Sequence, residues 1–380
     1  MLQLRSYMSR FSQLIRSLCL WLLQTAFNAC FIILLLYLTR YVIPPLSNHM
    51  IYHGREELIG RRFVREEQMN DVRLEKARSY LAEGNLTRFN IAKDSKRLTI
   101  SIVASRRPNR ELTQLLGYIS FYLNDNYKVL ICNAEVDSTN RPQEIREFEQ
   151  FLEVIDLNIN GNPVLAPSGN TYDNQLHKES LDYWRCLNIS YGYGMSDYIL
   201  LLEDDALPTA EFNVAINSVM RQLDRLKDID YVKLFHPWRL RGIPSYVQAS
   251  ALVLFLSYFL QLLLWKDRNL FVILAVALFT HKIFRMHFFE LFADAQFYLT
   301  QSAYLSLPES CCTQAVLFRG TKVQQIVEEL GNQIAKKGHA KDHILDDSRF
   351  VGRATDANFV VHIGYFSYLR KQKVPLGNKR

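Results

Sequence analysis

The chain has 380 residues, of which 49% are hydrophobic and 22% charged, with a formal net charge of +7. Only 15 Gly and 11 Pro exclude collagen-like and low-complexity classes, and a mean hydropathy of −0.07 is too low for a polytopic channel. The basic residues cluster at the two ends without a basic–aromatic array, so nucleic acid is not an expected partner.

In chain order, the first feature is a charge-free window. Residues 17–39 lie between Arg16 and Arg40 and include the run Phe31-Ile32-Ile33-Leu34-Leu35-Leu36. A membrane-crossing helix needs about 20 apolar residues. No small-residue cleavage site follows, only Val42-Ile43-Pro44-Pro45, so an uncleaved signal anchor is expected. Arg5, Arg10 and Arg16 put residues 1–16 in the cytosol. Within the stem at 40–94, residues 55–80 are rich in Arg and Glu, with apolar positions at Leu58, Phe63, Met69, Val72 and Leu74. They predict a helical stem.

Residues 95–241 then alternate strand and helix signals. Leu98–Ala104 is β-branched and ends in Ser105-Arg106-Arg107-Pro108. Helical spacing follows over Glu111–Leu123, a strand over Tyr127–Cys132, and helices over Gln143–Leu152 and Leu176–Leu187. Asp197–Leu202 is a buried strand stopping at Glu203-Asp204-Asp205. Such alternation predicts an α/β fold with a mostly parallel sheet and helices on both faces. Ligands bind at the carboxyl ends of such strands. Val103, Asp137 and Glu203-Asp204-Asp205 all fall at strand ends and are therefore expected to converge.

A second charge-free window runs from Gly242 to Trp265. The turn Lys266-Asp267-Arg268-Asn269 and a second apolar run from Leu270 follow it. Residues 242–289 predict a transmembrane hairpin, with a re-entrant or buried second arm as the rival. Residues 290–380 resume with a strand at Ala315–Phe318, a helix over 321–336, the acidic stretch Lys341–Asp347 and a strand ending at His362-Ile363-Gly364. This half is too small alone, so it should complete the sheet begun before the hairpin. The sequons at Asn85 and Asn188 fit a luminal domain. There, Cys132, Cys186, Cys311 and Cys312 can form disulfides.

Three consecutive acids ending an apolar strand repel one another and are costly to bury. A hard divalent cation removes both problems, holding phosphate oxygens and water at its other positions. That arrangement suits departure of a nucleoside diphosphate. On an extended chain Glu203 and Asp205 share a side and Asp204 points elsewhere, toward a ribose hydroxyl. The metal candidates are Asp205, Glu203 and His362. Lys178 and Asp182, four apart on one helix, pair as neighbours or face the diphosphate. Asp342, Asp346 and Asp347 form either a solvated acidic patch or the source of a general base, with Asp346 the candidate.

The run Leu176-His177-Lys178-Glu179-Ser180-Leu181-Asp182-Tyr183-Trp184 through Leu202-Glu203-Asp204-Asp205, together with His362-Ile363-Gly364, resembles GT-A glycosyltransferases that branch N-glycans. Those enzymes lack a membrane hairpin. The anchor, the split domain, the hairpin, Glu-Asp-Asp and Ser310-Cys311-Cys312-Thr313 together are similar to the Golgi post-GPI-attachment N-acetylgalactosamine transferase family. The resemblance implies a GT-A fold, a Rossmann-like mixed sheet, in a multi-pass Golgi membrane protein with a luminal catalytic domain. It implies UDP-GalNAc as donor, Mn2+ as cofactor, and the first mannose of a protein-attached GPI glycan at the lipid surface as acceptor. It assigns Val103 to the uracil, Asp137 to the uridine, and Glu203, Asp204 and Asp205 to ribose and metal. The alternatives are an N-glycan N-acetylglucosaminyltransferase and a non-enzymatic trafficking protein. The latter would tolerate loss of all three acids.

Overall fold

The computed structural model describes residues 30, 33–34, 66–84, 86–91, 96–123, 127–135, 141–158, 171–236, 296–308, 311–364, 366–367 and 372–373. Nearly all of the expected anchor, the whole 242–289 hairpin, Asp137 and Asn85 lie outside these residues. No helix among the described residues is long and apolar enough to cross a membrane. The chain divides into two compact units, 1–50 with 243–291 and 51–242 with 292–380. The sheet belongs to the second unit.

Among the described residues the main sheet has eight strands, in the order β3-β2-β1-β4-β8-β6-β9-β7. They are β1 (Leu98–Ala104), β2 (Lys128–Asn133), β3 (Glu153–Asp156), β4 (Tyr198–Glu203), β6 (Tyr231–Lys233), β7 (Leu305–Ser306), β8 (Ala315–Arg319) and β9 (Gly352–Thr355). A separate ribbon joins β5 (Ala206–Pro208) to β10 (Val360–His362). β1, β2, β3 and β4 run parallel, whereas β8 lies antiparallel between β4 and β6. The sheet is therefore mixed. Strands from before and after residues 242–289 interleave in it, so the two flanks form one sheet.

Side-chain alternation along β4 sorts the core. Leu200 and Leu202 face α2 (Glu111–Tyr122) and α5 (Phe212–Arg225), packing with Leu112, Leu116, Phe212 and Val219. Ile199 and Leu201 face α4 (Thr171–Gly194) and α6 (Gly320–Leu330), packing with Trp184, Leu187, Val323 and Ile326. A strand buried on both faces reads as an unbroken apolar run, which explains Tyr198-Ile199-Leu200-Leu201-Leu202. Other helices include α1 (Glu66–Glu83), α3 (Gln143–Phe148) and α7 (Lys341–Asp346).

The helix expected in the stem is observed as α1. α1 is packed on the domain, burying Met69, Arg73, Ala77 and Tyr80. These four recur at helical spacing on one stripe. The stripe carries polar groups that find partners. Arg73 Nε donates to Gln114 Oε1 at 3.0 Å, and Gln114 Nε2 to Asn70 Oδ1 at 2.8 Å. Gly117 lets the two helices approach, since a Cβ there would lie 2.7 Å from Ala77 Cα. A disulfide ties Cys132 of β2 to Cys186 of α4, and another joins Cys311 to Cys312.

Candidate active site

Parallel pairing places the carboxyl ends of β1, β2 and β4 side by side. Val103 stands in register with Cys132 on one side and Glu203 on the other. The chain then leaves strand geometry at Asp204-Asp205 before β5 begins. That turn changes the expected sidedness. Glu203 points to one set of partners, while Asp204 and Asp205 both face Arg107.

Glu203 Oε1 is held by Lys341 Nζ at 3.0 Å and by the Thr313 hydroxyl at 3.1 Å. Lys341 opens α7. Burial works against its charge, but Glu203 and Glu179 raise it above the ordinary lysine range. Burial also raises the Glu179 carboxyl, against the pull of Lys341.

Asp204 is almost wholly enclosed. Its Oδ2 accepts from the Ser105 backbone N–H at 2.8 Å and the Ser105 hydroxyl at 3.3 Å; its Oδ1 accepts from Arg107 Nε at 2.9 Å. Burial pushes its carboxyl up, against the guanidinium of Arg107. So filled and enclosed, Asp204 does not present itself to a ribose. It fastens the β1 loop to β4.

Asp205 Oδ2 lies 3.1 Å from an Arg107 nitrogen and 3.0 Å from His362 Nε2. The antiparallel register of β5 and β10 produces the second contact by setting His362 opposite Ala206. A Cβ at Gly364 would stand 2.1 Å from the same Asp205 oxygen, so only glycine lets that carboxylate pack against the chain after β10.

The other sequence candidates separate. Lys178 pairs with Asp182 at 2.5 Å and donates to the Ala134 carbonyl at the end of β2. It is thus a helix-neighbour pair that also caps a strand end. Asp346 belongs to a buried pair. It is 2.6 Å from Lys233, and the Tyr231 hydroxyl donates to it at 3.1 Å. The two side chains are 1% and 6% exposed for Lys233 and Asp346 respectively. Burial raises the Asp346 carboxyl despite Lys233. This enclosure makes Asp346 a support, not a group facing an acceptor. Asp342 is more open. Although burial opposes it, His343 and nearby backbone N–H groups, including that of Cys312, hold its carboxyl below the ordinary range.

No cluster of three or more His, Cys, Asp or Glu side chains suited to a metal occurs among the described residues. A hard cation bound beside a diphosphate needs only one or two protein ligands. Asp205 and His362 fit that smaller requirement, as a carboxylate and an imidazole that converge. Glu203, committed to Lys341 and Thr313, does not join them.

Sequence reasoning missed Arg107, Ser105, Thr313 and Lys341. The first two follow β1 directly, so the strand-end argument reaches them. Nothing local marks the other two, which meet Glu203 only through tertiary packing.

A solved structure, the mannosyltransferase Ktr4p from S. cerevisiae, matches 77% of this chain and 79% of its own at 13% identity, with a TM-score of 0.28. A family model described as GPI-N-acetylgalactosamine transferase PGAP4 matches residues 98–366, from the first residue of β1 to beyond His362 and Gly364. That span covers more than half of the chain and includes the carboxyl ends of β1, β2 and β4. The chain is a glycosyltransferase and belongs to the GPI-N-acetylgalactosamine transferase PGAP4 family.

Proposed function

We propose that this glycosyltransferase transfers GalNAc from UDP-GalNAc, with inversion and dependence on Mn2+, to the first mannose of a GPI glycan already attached to protein. Its luminal domain would be held at the Golgi membrane by the anchor at 17–39 and the hairpin at 242–289. The observation that carries the site assignment is the meeting of Asp205, His362 and Gly364 at the carboxyl end of β4. Val103, at the matching end of β1, is the position for the uracil. Asp137 is proposed for the uridine on its place after β2.

Asp205 and His362 would hold the cation. When bound, Mn2+ neutralises charge growing on the departing diphosphate. The protein's own groups do the rest. Asp204 locks the β1 loop against β4, and Lys341 holds Glu203 in place. Inversion in one displacement needs one general base for the acceptor hydroxyl. Asp342 is proposed for this role because its side chain is more open than that of Asp346. The two disulfides accord with an oxidising compartment.

The test is calorimetry of the full-length protein with UDP-GalNAc and UDP-GlcNAc, with and without Mn2+. Binding of UDP-GalNAc lost on chelation is expected. Preference for UDP-GlcNAc would move the reading to an N-acetylglucosaminyltransferase, and binding that survives chelation would remove the metal. Replacing 242–289 by a soluble linker should reduce transfer to membrane GPI more than hydrolysis of UDP-GalNAc.

A further inference from the structure

Arg107 enters the acidic turn from the β1 loop, and its forked head is divided between two carboxylates. Nε and one terminal nitrogen each lie 2.9 Å from Asp204 Oδ1. The other terminal nitrogen lies 3.1 Å from Asp205 Oδ2. That oxygen is also the one 3.0 Å from His362 Nε2. The side chains of Asp204 and Asp205 are only 1% and 2% exposed. Two adjacent carboxylates so enclosed need a counter-charge in every state of the protein, because an unpaired buried ion costs several kcal/mol. A guanidinium supplies it in planar, forked form. Burial opposes its charge, but Asp204 and Asp205 hold Arg107 well above the ordinary arginine range.

A divalent cation on Asp205 would replace part of that counter-charge. It would also repel a guanidinium nitrogen on the same oxygen. The fork allows a division of labour. Its Nε edge can stay on Asp204, which Ser105 holds independently, while the remaining nitrogen releases Asp205.

We propose that Arg107 is a resident counter-cation for the Asp204-Asp205 turn, holding it in shape before donor and metal arrive, and competing with the metal for Asp205. Arg107 is then a positioning residue. It keeps the site assembled without metal at the cost of weaker metal affinity. This inference rests on the metal reading proposed above.

The experiment measures Mn2+ binding alone, without nucleotide, by titration calorimetry on the full-length protein in detergent micelles. Wild type, Arg107→Gln and Arg107→Lys are compared. Thermal unfolding is followed in parallel with chelator and with Mn2+. Removing one charge-assisted contact from Asp205 should tighten Mn2+ binding by about tenfold in Arg107→Gln. The same variant should unfold earlier in chelator and recover with Mn2+. Arg107→Lys, which keeps the charge but loses the fork, should lie between the two and serves if the glutamine variant does not fold. Unchanged or weaker Mn2+ binding in the folded variants overturns the proposal. The metal reading has its own failure, UDP-GalNAc binding to wild type that persists in chelator, so the two remain distinguishable.

Discussion

Ionic side chains gather around both ends of β4, and the ends use them differently. At the amino end, Arg97 bonds both oxygens of Asp224 at 3.1 and 2.5 Å, and the Tyr198 hydroxyl donates to Asp224 at 2.9 Å. Arg319 gives its donors to the carbonyls of Leu223, Leu226 and Ile229, closing the end of α5. The Arg97–Asp224 pair stays open to solvent. At the carboxyl end, Glu203, Asp204 and Asp205 are enclosed with Arg107, Lys341 and His362. The same residue types thus build a solvated brace at one end and a crowded, water-poor acidic site at the other. Charge in the second setting interacts strongly and is costly to leave unpaired. That difference, more than the number of acids, distinguishes the end proposed for the chemistry.

Four substitutions break or sharpen this contrast. The largest effect is expected at Lys233, whose loss strands Asp346 in the interior. Lys233→Met should cost about 3–5 kcal/mol in denaturant unfolding, and a cost no greater than that of Asp224→Asn would erase the distinction between the ends. Next, Asp205→Asn should lower sugar transfer by about 10²–10³-fold, with the circular dichroism spectrum retained. At the brace, Tyr198→Phe removes one hydrogen bond and should cost about 0.5–1.5 kcal/mol, read from the same unfolding curves, with transfer unchanged. The smallest effect belongs to Asp224→Asn, about 1 kcal/mol or less near neutral pH.

The Asp224 variant also carries a sign. Its bond from Arg97 holds the folded carboxyl below the 3.8 of an ordinary aspartate. A group depressed on folding stabilises above its unfolded pKa and loses that contribution as pH falls through the folded value. The stability gap between wild type and Asp224→Asn should therefore be constant above about pH 5 and close below about pH 4. A gap that widens on acidification would place the carboxyl's partner elsewhere.

Much of the sheet was legible because buried strands need apolar runs. β1, β2, β4 and β8 all carry them, and their observed bounds lie within a residue of the sequence expectation. β3 was not legible. Its Glu153-Val154-Ile155-Asp156 sits at the sheet edge and lacks such a run. α1 was legible as a helix, but its packing was not, because Arg73 and Asn70 lie on the packing stripe and are satisfied by Gln114. At the site, the acids were visible as a strand end. Their division was not, because the turn at Asp204 cancels the alternation of an extended chain. His362 was visible as a candidate, but its partner became definite only through the register of β10 on β5. The burial of Asp346 against Lys233 is a property that an acidic stretch in sequence does not display.

The interleaving of the sheet also sets an order for biosynthesis. β6 is made before residue 242, yet both of its neighbours, β8 and β9, are made after residue 289. β4 likewise waits for β8 on one side. During synthesis the first half therefore presents an apolar strand edge, a recognised aggregation hazard, until the second half arrives. Pairings this distant in sequence form slowly. A chain stopped at residue 241 should then be cleared faster than the full-length chain, a difference that a pulse-chase of the two reads directly.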